Sequence, residues 1–121
     1  MSFSWQEFAE LAIQLASELQ DEASQRTAIN RSYYAAYHAA SALVRDRDLH
    51  PPDQPLSHWL VWKLIRDSHL PNCQEISQRG FTLRDARVWA DYWNPFPGEL
   101  GSQVEKALVN SAAIIALLRE T

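Results

Sequence analysis

Hydrophobic and polar positions repeat at helical spacing over most of the chain. Phe8, Ala12, Leu15 and Leu19 fall on one side of a first predicted helix, which opens on Ser4-Trp5-Gln6-Glu7, a Ser-x-x-Glu capping box. A second helix is predicted from about Ser24 to Arg45, with Ile29, Tyr33, Ala36, Tyr37, Ala40, Leu43 and Val44 along one stripe. Pro51, Pro52 and Pro55 cannot continue a helix and place a loop over 46–55. A third helix starts near Ser57 and carries Trp59, Leu60, Trp62, Leu64 and Ile65. Pro71 ends that run, and a short helical turn is expected around Gln74–Gln78. Thr82-Leu83-Arg84-Asp85 reads as a cap that opens a fourth helix through Trp93. Asn94-Pro95-Phe96-Pro97-Gly98 breaks the chain, and Ser102-Gln103-Val104-Glu105 caps a last helix whose apolar residues cover much of its circumference. Three glycines and few β-branched runs argue against a sheet. With no repeat or linker visible, the pattern predicts an all-α fold. It is an antiparallel up-and-down bundle of about five helices, one domain over 1–121.

The second helix has another face, carrying Thr27, Arg31, Tyr34, Ala35, His38, Ser41, Ala42 and Arg45. Arg31 and His38 stand seven residues apart, which brings them within about 20° of one azimuth with about 10.5 Å of rise between them. Arginine grips phosphate as a bidentate fork, and histidine exchanges a proton near neutral pH. Together they point to phosphodiester chemistry on a face expected to be open to solvent, a ligand or a second subunit. The small Ala35 and Ala42 would let that surface approach closely. A surface arginine and a hydrogen-bonded histidine sharing a helix face is the plainer alternative.

Charge changes the picture by its distribution. The net charge of −4 argues against a nonspecific nucleic-acid binder. Yet residues 1–25 hold five acids and no base, whereas residues 26–87 hold eight arginines and one lysine against six acids. Arginines outnumber lysines nine to two, which suits planar phosphate contacts; pairing with scattered carboxylates is the competing account. The single Cys73 allows no intrachain disulfide and fits a reducing compartment. The N-terminus lacks the basic and apolar regions of a signal peptide, and the longest uncharged run, Ser32 to Val44, is too short to span a bilayer. The expectation is a soluble, cytoplasmic protein with no membrane partner. His50, His58 and His69 have no metal-ligand spacing, and His69 with Cys73 is half a site, so no metal and no cofactor are expected. The five tryptophans are assigned to the core or an interface, and Arg87 with Asp91 to an exposed ion pair.

Two segments carry a resemblance. Arg26-Thr27-Ala28-Ile29-Asn30-Arg31-Ser32-Tyr33-Tyr34-Ala35-Ala36-Tyr37-His38-Ala39-Ala40 resembles the signature of the HEPN domain family, and Leu83-Arg84-Asp85-Ala86-Arg87-Val88-Trp89-Ala90-Asp91-Tyr92 is similar to a run the same family carries further on. The resemblance implies a helical bundle that forms a two-fold homodimer. Many members are metal-independent ribonucleases with an Arg-x4–6-His site, acting as toxins beside a nucleotidyltransferase antitoxin or in antiviral defence. Carried onto this chain, Arg31 and His38 become the catalytic pair, with Tyr34, Ser41, Arg45, Arg84 and Arg87 as candidates for holding RNA. Members controlled by nucleotidylation carry a tyrosine two residues after the histidine; here that position is Ala40, so that control is not implied.

Helical side chains lean toward the helix N-terminus, so Arg31 leans away from His38 of its own chain. A two-fold partner with its second helix antiparallel would bring Arg31 of one chain toward His38 of the other. His38 would then shuttle the proton of the RNA 2′-hydroxyl and Arg31 would stabilise the charge developing on phosphorus, leaving a 2′,3′-cyclic phosphate. The other function class is a non-catalytic module that uses the same face to hold a nucleotidyltransferase partner or a nucleotide.

Overall fold

Five helices make up the computed structural model, which describes residues 2–121: α1 (Gln6–Glu18), α2 (Glu22–Asp46), α3 (His58–Arg66), α4 (Cys73–Tyr92) and α5 (Leu100–Arg119). The described residues contain no strand, and the fold is all-α. None of these helices is long and apolar enough to cross a membrane.

The starts of the first three helices follow from local chemistry. At α1 the Ser4 N–H donates to the Glu7 carboxylate (2.9 Å), and Ser4 Oγ accepts from the Gln6 N–H (3.2 Å). The Asp21 carboxylate caps α2 by accepting from the Ser24 N–H (3.0 Å), and the Ser24 bonds hold its carboxyl below the usual value. Ser57 caps α3 through Leu60 N–H (3.2 Å).

Helix α2 is the axle, packing against each of the other four. Its expected stripe is buried from Ile29 to Val44, with Leu43 partly so. Burial extends further than that stripe, because Ala28, Ser32 and Ala35 are also enclosed. Ala35, expected on an open face, is 2 % exposed because α1 and α5 close over that side. Ser111 Oγ on α5 donates to the Ser32 carbonyl at 2.7 Å, an approach that small residues on α2 permit. Helix α1 runs antiparallel to α2, as the pairing of Trp5 with His38 and of Phe8 with Arg31 requires. Helix α4 is also antiparallel to it. There Arg26 donates to the carbonyls of Ala90 (3.0 Å) and Trp93 (2.7 Å), satisfying the C-terminal end of α4 with a cation. The loop over 47–57 turns back along α2, so that α3 begins beside Tyr33 and Tyr37 rather than beyond the end of α2.

Two helix starts differ from expectation. Helix α4 begins at Cys73, not Thr82; the expected turn at Gln74–Gln78 is its first part, and Thr82 lies exposed inside it. Gly80 stands inside this helix, where the buried Trp62 ring of α3 lies directly on it; a Cβ there would overlap the indole. Helix α5 begins at Leu100, two residues before the expected Ser102 cap, with the Gln103 N–H bonded to the Glu99 carbonyl. The tryptophans also divide. Trp62 is fully buried and Trp89 partly, while Trp5, Trp59 and Trp93 are about half exposed rather than core.

The Gly80 contact sets a test. Gly80→Ala should destabilise the protein by about 1–3 kcal/mol in urea unfolding, since overlap with Trp62 outweighs the gain in helix propensity. Gly101→Ala, in the first turn of α5 where the added carbon meets nothing closer than 4.0 Å, should be neutral or stabilising by up to about 1 kcal/mol. Equal effects at the two positions would refute the packing explanation.

Candidate functional site

Arg31 and His38 lie where α1 crosses α2, and the face they share is not open as expected. The Trp5 ring stacks on the His38 imidazole, centroids 3.5 Å apart and planes 12° from parallel. The Arg31 guanidinium sits 4.6 Å from the Phe8 centroid. Trp5 and Phe8 meet each other edge to face at 5.3 Å, so one aromatic seam pins both side chains. Both are partly buried. Burial pushes the His38 pKa below 6.5, and the neutral imidazole predominates at pH 7. Arg31 has no carboxylate partner among the described residues, whereas Arg26, Arg66, Arg79 and Arg87 are each in an ion pair. Beside Trp5 and His38 runs an open groove of about 420 Å³, lined in part by Ala39, Ala42, Ile115 and Leu118.

The other flank of the same helix is polar and buried. Trp62 Nε1–H, which can only donate, reaches the Tyr33 hydroxyl at 3.2 Å. Tyr33 in turn lies 3.1 Å from His58 Nδ1. With its oxygen accepting from Trp62, Tyr33 directs its proton to His58, so Nδ1 accepts and His58 carries its own proton on Nε2. Burial, with the nearby charges of Arg87 and Arg84, pushes the His58 pKa below 6.5 and agrees with that neutral tautomer. Burial likewise raises the Tyr33 pKa to about 12, so the phenol stays protonated. The Tyr37 ring stacks on His58 at 4.1 Å, and its hydroxyl donates to the Leu56 carbonyl at 3.4 Å.

Helix α4 completes this flank. Arg87 Nη2–H donates to the Tyr34 hydroxyl at 2.8 Å, and Arg87 Nε lies 2.9 Å from the Asp91 carboxylate. Asp91 also accepts from Asn30 Nδ2 at 3.0 Å. The side chains of Arg87 and Asp91 are 16 % and 23 % exposed, so this ion pair is sheltered, not the exposed one expected. Arg84 lies one turn earlier on α4, and its charge is felt by both Tyr33 and His58.

Of the residues singled out in the sequence, Arg31, Tyr34 and His38 therefore share one face, Arg87 joins it through Tyr34, and Arg84 lies beside it. Ser41 and Arg45 stand further along α2 past Tyr37, where Arg45 is exposed. Compared with family models, with curated proteins and with solved structures, the chain matches none. What the face can do follows from its own chemistry. It offers two neutral histidines against the same pair of tyrosines, with guanidinium groups on both sides. No group of three or more His, Cys, Asp or Glu among the described residues is arranged to hold a metal ion. His58 is the residue that sequence reasoning missed. It lies outside the helical stripe of α2, and only the folding back of the 47–57 loop brings it to Tyr33.

Two outcomes are expected. Tyr33→Phe leaves Trp62 Nε1–H buried without an acceptor and should cost about 1–3 kcal/mol in urea unfolding. In addition, His38 and His58 bind protons more weakly folded than unfolded. Their contribution to stability is complete above about pH 6.5 and is lost as pH falls through their lower folded values. The thermal midpoint should therefore drop between pH 7 and pH 5, and replacing both histidines with glutamine should flatten that slope. A midpoint constant across this range in the unmodified protein would contradict the assignment.

Proposed function

We propose that this protein is a metal-independent endoribonuclease of the HEPN type, working as a homodimer through Arg31 and His38. The observation that carries the reading is the aromatic seam. It holds a neutral imidazole and a guanidinium without a carboxylate partner on one face of α2, with an open groove beside the imidazole. A neutral imidazole can take the proton from the RNA 2′-hydroxyl as it attacks the adjacent phosphate. Arg31 then stabilises the negative charge that gathers on the phosphoryl oxygens. The 5′-oxygen leaves with a proton, and the product is a 2′,3′-cyclic phosphate. DNA has no 2′-hydroxyl and does not react. Within one chain the two groups are about 10.5 Å apart along the axis and lean apart, so a two-fold partner supplies the complementary residue. Such an enzyme would act in the cytoplasm as a toxin or defence protein, held in check by a nucleotidyltransferase antitoxin.

A second reading has an observation of its own. The rings of Trp5 and Phe8 already occupy one side of His38 and Arg31, as they would in a module that binds a nucleotidyltransferase or a nucleotide without cleaving anything.

Incubation of purified protein with single-stranded RNA and DNA in excess EDTA decides between them. Cleavage of RNA alone, with cyclic-phosphate ends, is expected. His38→Asn and Arg31→Gln should each lower the rate about 10²-fold or more. Mixing these two variants should restore part of the activity, since a mixed dimer regains one intact site. The rate should rise with pH through a midpoint below 6.5, and Trp5→Ala should move that midpoint upward by rehydrating the imidazolium. A monomer of 13.9 kDa by light scattering would sink the composite site. Intact RNA together with tight binding of a partner protein would favour the module.

A further inference from the structure

Gln25 is one of the few polar side chains enclosed in the fold, at 8 % exposed. Its Nε2–H groups donate to the carbonyls of Ala16 (3.3 Å) and Leu19, where the chain leaves α1. A carbonyl can only accept, so the amide nitrogen must face α1 and the oxygen must turn away from it. Gln25 Oε1 then takes no donor among the described residues, yet it is not closed off from solvent. The side chain lines an open cavity of about 470 Å³ between the end of α1 and the start of α5. The other walls of that cavity sort by chemistry. Ala16, Val104 and Leu108 form an apolar floor, while Glu99 and Glu105 stand exposed at its rim. Neither carboxylate has an ion-pair partner among the described residues, and no Lys, Arg or His lines the cavity. Helix α1 adds the negative end of its dipole, with no basic residue in its last turn. The first turn of α5 presents a positive end, about half a charge, against two full carboxylates and the α1 terminus. The cavity is therefore a place for a cation. A metal ion is a poor match, since no three His, Cys, Asp or Glu among the described residues are grouped to hold one.

We propose that this cavity binds a linear aliphatic diamine, with one ammonium on each of Glu99 and Glu105 and the methylene chain on the apolar floor. An ammonium has three donors and no acceptor, which complements a wall that offers two carboxylates and the Gln25 amide oxygen. Two carboxylates rather than one select a dication, and the chain between its charges gains from leaving water. Positions 99 and 105 stand six residues apart, about 9 Å of helical rise, a span that a short methylene chain with an ammonium at each end can bridge. The cavity lies at the opposite end of α1 from Trp5, so it stands apart from any chemistry of Arg31 and His38.

Calorimetry on the full-length protein, with 1,5-diaminopentane, 1-aminopentane, pentanoate and calcium as probes, tests the assignment. The side-chain amide of Gln25 and the backbone amide of Gly101, both at the cavity, report the place by NMR. The diamine should shift both resonances, leave the His38 ring unmoved and bind at least tenfold more tightly than the monoamine. Pentanoate should not bind, and millimolar calcium should not displace the diamine. Glu99→Gln and Glu105→Gln should each weaken the diamine at least fivefold and erase its advantage over the monoamine. Neither carboxylate is in an ion pair within the described residues, so the thermal midpoint should stay in place. Glu10→Gln removes the same charge from α1 outside the cavity and should leave the affinity unchanged. An equal loss in Glu10→Gln would reduce the binding to bulk charge and overturn the site. So would a Gln25 amide that stays still, or pentanoate binding as well as the diamine. A monoamine as tight as the diamine, or displacement by calcium, would overturn the choice of ligand.

Discussion

A single buried oxygen, the Tyr33 hydroxyl, ties the middle of this fold together. It has no water to turn to, so it must find its partners within the protein, and it finds them both on α3. Accepting from Trp62 fixes the indole, whose face then needs the bare backbone of Gly80 on α4. Donating to His58 fixes the start of α3 and the tautomer of its imidazole. One polar atom thus sets the relation of three helices and orients a titratable ring at their common edge.

Around that junction the electrostatics are arranged by burial more than by pairing. His38 and His58 are both pushed toward the neutral form by desolvation, the first under Trp5 and the second against Tyr37 with two guanidinium groups nearby. The arginines divide by role. Arg26 is consumed at the end of α4, Arg79 joins Glu75 and Asn110, and Arg87 is braced by Asp91 and Tyr34. Arg31, Arg45 and Arg84 have no carboxylate partner among the described residues, and Arg31 rests on the Phe8 ring. The basic middle of the sequence is therefore partly structural cement and partly available charge, and only the fold separates the two.

The sequence made some of this legible. The stripe from Ile29 to Val44, the Ser57 cap and the proline-marked loop follow from period and local chemistry, and the structure has them. The full length of α4 was hidden because Thr82-Leu83-Arg84-Asp85 looks like a cap, and only the Trp62 ring explains why a glycine, Gly80, belongs inside a helix there. The burial of Ala35 was hidden because a long helix with a second polar face reads as a surface helix, whereas here α1 and α5 roof it over. His58 could not be assigned from spacing at all, since its neighbours are 21 to 25 residues away along the chain. Arg31 and His38 were found by their spacing, but the rings that hold them come from α1, whose apolar pattern says nothing of its partners.

That dependence on α1 has a consequence for motion. The helix encloses Ala12 fully and Leu15 and Ala16 in part, while Leu11 and Ile13 remain exposed. Its outer side is held only by solvent, so any local opening of the chain that frees α1 acts on the face beneath it. In such an opening Trp5 and Phe8 would leave His38 and Arg31 together, because both rings come from the one segment. The imidazole regains its hydration and its affinity for protons as the guanidinium regains its freedom. The chemical character of this face and the docking of the first helix are thus two readings of one equilibrium, and whatever clamps α1 also sets the proton affinity of His38.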